Sequence, residues 1–280
     1  VLHPEISALI DLALHEDIGD GDHSALATVP VDARGAARLL VKGTGVLAGV
    51  DLACHLVERF DPSLRIRVFL QDGARVQPGD VAFTINGPSR SILTIERLVL
   101  NFMQRMSGIA TLTDRHVAAV EGTGCRVLDT RKTTPGLRAV EKWAVRIGGG
   151  HNHRHGLYDM IMIKDNHADL CGGIPQAIAA ARKYLAANSM SLPIEVETRN
   201  MKEVEQVLAI GGVQRIMLDN FSPSLLAEAV QRIGGSVETE ASGGITLDTI
   251  ATYAATGVDM ISVGALTHSA NSLDLSLKAI

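Results

Sequence analysis

Aromatic side chains are scarce in this 280-residue chain: one Trp, three Tyr and five Phe make up 3%. Positive charge is in deficit too, with 26 Lys and Arg against 31 Asp and Glu, a net −5. A nucleic-acid binder normally shows stacking aromatics on a basic face, so that class is disfavoured. The three cysteines, Cys54, Cys125 and Cys171, are odd in number and lack a CxxC or Cys/His ligand spacing, which argues against a disulfide framework or a zinc site. No apolar run reaches the ~18 residues that span a bilayer, and no basic stretch followed by an apolar one opens the chain. A cytoplasmic protein with no membrane and no nucleic-acid partner is expected. With 46% hydrophobic and 20% charged residues, the length suits one α/β barrel or two smaller domains around a large core.

Apolar residues at Ile6, Leu9, Ile10, Ala13 and Leu14 have helical spacing, which predicts a first amphipathic helix over 3–17. The cluster DIGDGDHS reads as a turn. Short strands follow at 36–40, 46–50, 66–70 and 81–85, an α+β pattern for the first hundred residues. A long apolar stripe from Ile92 to Leu112 predicts a helix over 91–121 that Gly108 bends or divides. Arg97, Arg105 and Arg115 lie on it and read singly as solvated arginines.

Beyond this helix a unit repeats. Short β-rich runs at 126–129, 160–163, 194–196, 215–218, 236–239 and 260–263 mostly precede plausible helices, the signature of a parallel sheet with crossovers. At least six such units predict closure toward a barrel. The strand ends carry Thr130-Arg131-Lys132, Lys164, Glu197, Asp219-Asn220, Ser242-Gly243-Gly244 and Gly264-Ala265-Leu266. Residues at the C-terminal ends of barrel strands converge on one mouth, where such folds place their active sites.

A basic island coincides with that mouth. Between Thr130 and Tyr158 six Lys or Arg face one acid, Glu141, a local +5 inside an acidic protein. Clustered like charge focuses its field on a local anionic ligand. Arg131, Lys132, His153, Arg154 and Lys164 are expected to point into the cleft and suit a ligand with more than one carboxylate. Arg138, Lys142 and Arg146 recur every four residues and read as a solvated stripe on a helix capped by Thr134-Pro135. Gly148-Gly149-Gly150 is expected to let the backbone approach the ligand. Ser242-Gly243-Gly244 offers backbone amides to a phosphate just before a helix expected near Thr246, and the Gly264 turn, with Thr267 and His268, supplies the other half. Glu197 and Asp219 are hard oxygen donors suited to Mg2+, held directly or through water, with general acid/base work the competing role. A barrel lyase using Lys164 as a Schiff base stays open at this point. So does a carrier module suggested by DGARVQPGDV, although no lysine sits in the attachment context.

The ordered motifs HEDIGDGD, ERLVLNFMQRMSGIAT, TRKTTPGLR, GGGHNHRHGL, IKDNH, EVET, IMLDNF, ASGGI and VGALTHS resemble the quinolinate phosphoribosyltransferase family of NAD biosynthesis, over essentially the whole chain. His23-Ser24 and Thr198-Arg199 depart from its commoner residues. The resemblance implies an open, atypical parallel α/β barrel (104–269) with a smaller N-terminal α+β sandwich domain (1–103), on which residues 270–280 are candidates to pack. It implies phosphoribosyl transfer from phosphoribosyl pyrophosphate to quinolinate with decarboxylation; the alternative is a related transferase for another base. It further implies Mg2+ and a homodimer in which Arg105 crosses from the partner to the substrate. By the family pattern Arg131, His153, Arg154 and Lys164 bind quinolinate, Lys132 serves phosphoribosyl pyrophosphate beside Thr130, and Glu197 and Asp219 serve the ribose and its metal. Lys132, Lys164, Glu197 and Asp219 are the catalytic set so implied, and Ser242, Gly243, Gly244, Gly264, Ala265 and Leu266 form the phosphate loops.

Overall fold

The computed structural model describes residues 3–280. In chain order its elements are α1 (Pro4–Ile18), α2 (His23–Thr28), β1 (Arg34–Val41), β2 (Gly45–Val46), α3 (Val50–Phe60), β3 (Arg65–Val68), β4 (Arg75–Val76), β5 (Val81–Pro88) and α4 (Ser89–Ala119). There follow β6 (Arg126–Leu128), α5 (Arg138–Ile147), β7 (Ile161–Ile163), α6 (Asp165–Cys171), α7 (Ile174–Ala187), β8 (Ile194–Thr198), α8 (Met201–Ile210) and β9 (Arg215–Asp219). The chain ends with α9 (Pro223–Ile233), β10 (Glu238–Ser242), α10 (Ile250–Ala254), β11 (Met260–Ser262), α11 (Ala265–His268) and β12 (Leu275–Ala279). Two compact units result: residues 1–114, 133–149 and 266–280 form the first, residues 115–132 and 150–265 the second.

The first unit holds an antiparallel sheet in the order β12-β1-β5-β3, so the end of the chain supplies one edge strand. Helix α3 occupies a stretch whose start reads as strand in the sequence. Its first amides, of Val50 and Asp51, are capped from a distance by the Asp72 carboxylate at 2.8 and 3.3 Å, a partner that local patterning does not reveal. Helix α4 runs unbroken through Gly108 rather than bending there. That glycine is needed for packing: a Cβ would collide with the Asn271 carbonyl. Gly148 likewise lies against Ala110 and Thr113 of α4, so its lack of a side chain serves helix packing.

Two expectations about α5 change. The helix begins at Arg138, not at Thr134-Pro135, because Pro135-Gly136 forms a turn with Gly136 at φ +80° and Leu137 N–H donating to Thr134 O. Lys142 is 1% exposed and belongs to the interior, not to a solvated stripe.

The second unit is one parallel sheet in the order β6-β11-β10-β9-β8-β7, with β6 and β7 as its open ends. Register explains its unusual interior. Glu195 pairs with Arg215 and Arg215 with Glu238; Glu197 pairs with Met217 and Met217 with Glu240. Side chains alternate along strands, so one face of β8–β10 carries Glu195, Glu197, Arg215, Asp219, Glu238, Glu240 and Ser242. The other face carries Val196, Ile216, Leu218 and Ala241, all buried in the apolar core.

Candidate active site

Strand ends set the rim. Glu197, Asp219 and Ser242 lie within the last two residues of their strands, at the ends where the sequence placed them. Asp219 lies two residues beyond the register partner of Glu197, so both carboxylates share a face of adjacent strands. Lys164 caps the start of α6, and its Nζ lies 3.5 Å from Glu197 Oε2. Asn220, in a left-handed conformation at φ +57° that Asn tolerates, donates from Nδ2 to Asp219 Oδ2 at 2.6 Å. Its backbone N–H donates to Ser242 O at 2.8 Å, which ties the Asp219 turn to the glycine loop.

Gly243 and Gly244 take φ of +100° and +61° in succession. A Cβ on Gly243 would come within 2.6 Å of Asn220 Cγ, whereas one on Gly244 would meet nothing within 4 Å. The loop therefore keeps open space over its second glycine. The helix expected near Thr246 begins at Ile250 and is only five residues long, so the amides of the loop, not a helix field, would hold a phosphate. In the other candidate phosphate loop, Gly264 is the turn residue between β11 and α11, Ala265 opens α11, and the wholly buried Leu266 leaves only its backbone to offer.

The basic residues divide. Lys132 is exposed, with its N–H donating to Thr130 Oγ1 at 3.0 Å. Arg154 is partly buried; its Nη1 donates to Met160 O at 3.1 Å, and its Nε is buried without a hydrogen-bond partner. Burial first, and the charge of Arg131 second, draw the Arg154 guanidinium below its usual range. Two neighbouring guanidiniums thus repel each other in a partly dry place. An anion between them would relieve that repulsion.

The loop that carries Arg154 is clamped by carboxylates that sequence reasoning missed. Asp129 accepts the His153 N–H at 2.8 Å. Burial favours the neutral acid at Asp159, yet amide hydrogen bonds from Gly156 and His155, at 2.9 and 2.6 Å, hold it below the usual range.

His153 is buried and its ring faces the sheet: Nε2 lies 3.0 Å from Glu195 Oε2 and 3.3 Å from Glu240 Oε2. Nδ1 accepts the Arg154 N–H at 2.6 Å. Burial opposes a charged ring, but Glu195 and Glu240 outweigh it and push the imidazole up to about 9. The Arg154 amide pulls the other way, because a second ring proton would meet its N–H. The proton on Nε2 is favoured by both.

Within the single chain Arg105 is held by its own unit. Its Nε and Nη2 donate to Glu141 Oε1 at 3.1 and 2.8 Å, Nη1 to Ala270 O at 3.0 Å, and Nη2 to Thr267 O. Four of the five guanidinium N–H groups are spent inside the first unit. Arg97 and Arg115, by contrast, are exposed.

Residues 109–278 match the family described as Quinolinate phosphoribosyl transferase, C-terminal domain, and residues 22–107 match its N-terminal domain. The chain belongs to the quinolinate phosphoribosyltransferase family. It is 48% identical to the chloroplastic nicotinate-nucleotide pyrophosphorylase [carboxylating] of Oryza sativa subsp. japonica, over 99% of this chain and 78% of that protein. It is 39% identical to the probable nicotinate-nucleotide pyrophosphorylase [carboxylating] of Bacillus subtilis, over 98% and 93%. The crystal structure of NadC from Streptococcus pyogenes superposes with a TM-score of 0.94 at 40% identity, covering 100% of this chain and 99% of that one. The open parallel barrel with a smaller α+β domain is the fold of this phosphoribosyltransferase family.

Proposed function

We propose that the protein joins quinolinate to the phosphoribosyl group of phosphoribosyl pyrophosphate, releasing pyrophosphate and carbon dioxide and leaving nicotinate mononucleotide. The observation that carries this reading is the partly buried like charge of Arg131 acting on Arg154, only partly offset by Glu195 and Asp159, at a rim that suits a compact anion. A pyridine ring with two adjacent carboxylates supplies two negative charges on one rigid frame, and guanidinium forks bind such groups bidentately. Lys164 adds a cation at the same rim, and Lys132, exposed beside Thr130, suits the charged phosphates of the second substrate. The amides of Ser242, Gly243 and Gly244 suit the phosphate on the ribose.

The chain's residues act mainly by placement and charge. With the ring held by Arg131, Arg154 and Lys164, its nitrogen attacks the anomeric carbon as the bond to pyrophosphate breaks and pyrophosphate leaves with the electron pair. Glu197 and Asp219 face the sugar and stabilise the positive charge that develops there. The ring nitrogen is then a pyridinium. When the bond to the neighbouring carboxyl carbon breaks, the pair left on the ring is stabilised by that positive charge and takes a proton, so no protein base is required.

Glu197 and Asp219 also suit Mg2+: both are hard donors on one strand face, and Glu197 Oε1 and Asp219 Oδ1 make no hydrogen bond among the described residues. Bound there, the ion would offset charge on the departing pyrophosphate. A homodimer in which Arg105 serves the partner's substrate belongs to the same proposal, supported by the family resemblance. A cytoplasmic location is proposed for this chain alone, since the rice relative is named as chloroplastic. Among the described residues no helix is long and apolar enough to cross a membrane. Lys164 lies beside a carboxylate and is half exposed, unlike the desolvated amine of a Schiff-base lyase. The deciding experiment supplies phosphoribosyl pyrophosphate, Mg2+ and carboxyl-labelled quinolinate, and reads labelled carbon dioxide and pyrophosphate. Turnover of nicotinate in place of quinolinate, with no carbon dioxide, would overturn the assignment.

A further inference from the structure

Glu195, Arg215 and Glu240 carry charge that the proposed reaction leaves unused. Both glutamates are 0% exposed, and Glu195 Oε1, Glu195 Oε2 and Glu240 Oε1 are buried without hydrogen bonds, so His153 Nε2 meets the two glutamates at ion-pair distance only. Arg215 Nη1 lies 3.0 Å from Glu240 Oε2 and 3.7 Å from Glu195 Oε2, while Nη2 reaches the half-exposed Glu238 at 3.3 Å. Burying three charges is expensive and is tolerated only where they are paired or meet hydrogen-bond donors. Two carboxylates and one guanidinium leave one negative charge over, and Nε2 of the His153 ring is the donor that faces it.

His153, Glu195 and Glu240 also bring three ligand atoms within 4.8 Å of one another, as a metal site would. The Arg154 amide argues against that use. An ion on Nε2 would need the ring proton on Nδ1, where the Arg154 N–H already donates at 2.6 Å. The ring then spans two tasks: Nε2 engages the glutamates, and Nδ1 takes the backbone N–H of Arg154.

We propose that Glu195, Arg215 and Glu240 are positioning residues for Arg154: they fix the His153 ring, whose Nδ1 fixes the Arg154 amide and so sets the guanidinium that receives a substrate carboxylate. This rests on the function proposed above. The three supporting residues touch no substrate, and their effect is confined to the pyridine subsite.

Steady-state kinetics on Glu240→Gln and on the double variant Glu240→Gln with Arg215→Met tests this; the double variant keeps the wild-type charge sum in the pocket. KM for quinolinate is expected to rise at least about tenfold, while KM for phosphoribosyl pyrophosphate stays within about twofold and kcat falls less than KM rises. A folded variant with unchanged KM for quinolinate overturns the proposal, and so does an equal rise in both KM values, the mark of a merely structural role. Histidine-selective 15N NMR of the wild-type protein gives an answer even if neither variant folds. An Nε2-protonated ring with Nδ1 as acceptor is expected, and the opposite tautomer overturns the idea. So does metal analysis finding one tightly held divalent ion per wild-type chain that Glu240→Gln releases. A wild-type protein that fails to turn over quinolinate sinks the assigned reaction instead, and the NMR result still reports on the His153 link.

Discussion

Replacing Arg105 with Met separates two roles that the residue could hold. Methionine keeps an apolar stem of similar reach and removes only the guanidinium. Glu141 is 0% exposed and accepts from Arg105 twice, and also from Thr134 N–H at 3.0 Å and Thr134 Oγ1 at 2.8 Å. Breaking a buried ion pair by removing one partner costs about 3–5 kcal/mol, and the two surviving threonine bonds put Arg105→Met at the lower end, roughly 3 kcal/mol. For a chain of this size each kcal/mol moves the melting temperature by about 2–4 °C, so a fall of roughly 6–12 °C is expected. Glu141→Gln in the Arg105→Met background should return part of it, because the uncompensated charge is then gone.

The assay is a thermal melt of the four members of this cycle, with KM for quinolinate measured at a temperature where all are folded. Stability should fall through the lost contacts to Glu141 and two carbonyls, and KM for quinolinate should rise about tenfold or more through the role that the family resemblance gives the same guanidinium. An Arg105→Met protein that melts with wild type would refute the structural role. One with unchanged KM for quinolinate would refute the role at a substrate.

Gly108→Ala would place a methyl 2.8 Å from the Asn271 carbonyl carbon, so α4 and the 271–272 segment must part; a loss of about 2 kcal/mol or more in denaturant unfolding is expected. Arg131→Ala removes half of the guanidinium pair and should lower kcat/KM for quinolinate about 10²-fold, equivalent to roughly 2–4 kcal/mol; near-normal turnover and affinity would count against its role. Hydrogen bonds from Ser91 and Ser63 hold the Asp61 carboxyl below its usual range. A folded-state value below the unfolded one of about 3.9 contributes stability above that pH, which is lost as pH falls through the folded value. Asp61→Asn should therefore melt below wild type at neutral pH and converge with it in strong acid. A constant gap down to the lowest pH would contradict that.

How far these features could be read beforehand depended on whether the physics was local. The six parallel strands stood out because each has at least one apolar face and ends in polar or glycine residues. Boundaries slipped where that contrast fails: β10 reads Glu-Thr-Glu-Ala-Ser, with one apolar residue in five, and the sequence placed its strand two residues early. Helix α3 was missed because its cap, Asp72, comes from another part of the chain. Arg105, Arg97 and Arg115 look alike on a helical stripe. Only the arrival of Glu141 from α5, 36 residues away, distinguishes the one that is spent.

The charged interior was the least legible part, and the reason bears on the chemistry. A charge in a strand normally reads as exposed, and the alternation in Glu-Val-Glu-Thr, Arg-Ile-Met-Leu-Asp and Glu-Thr-Glu-Ala-Ser gives no hint that the charged side faces inward. Parallel register converts these three separate alternations into one ladder, in which Glu195, Arg215 and Glu238 fall in a row and Glu197 and Glu240 fall in the next. A sheet built this way cannot solvate its inner face, so its charges must pair across strands and with whatever loop reaches them. His153 is what reaches them. The same residues that would destabilise an unpaired sheet therefore give the Arg154 loop a fixed electrostatic anchor, and the rim gains a rigidity that a loop of glycines and histidines could not supply by itself.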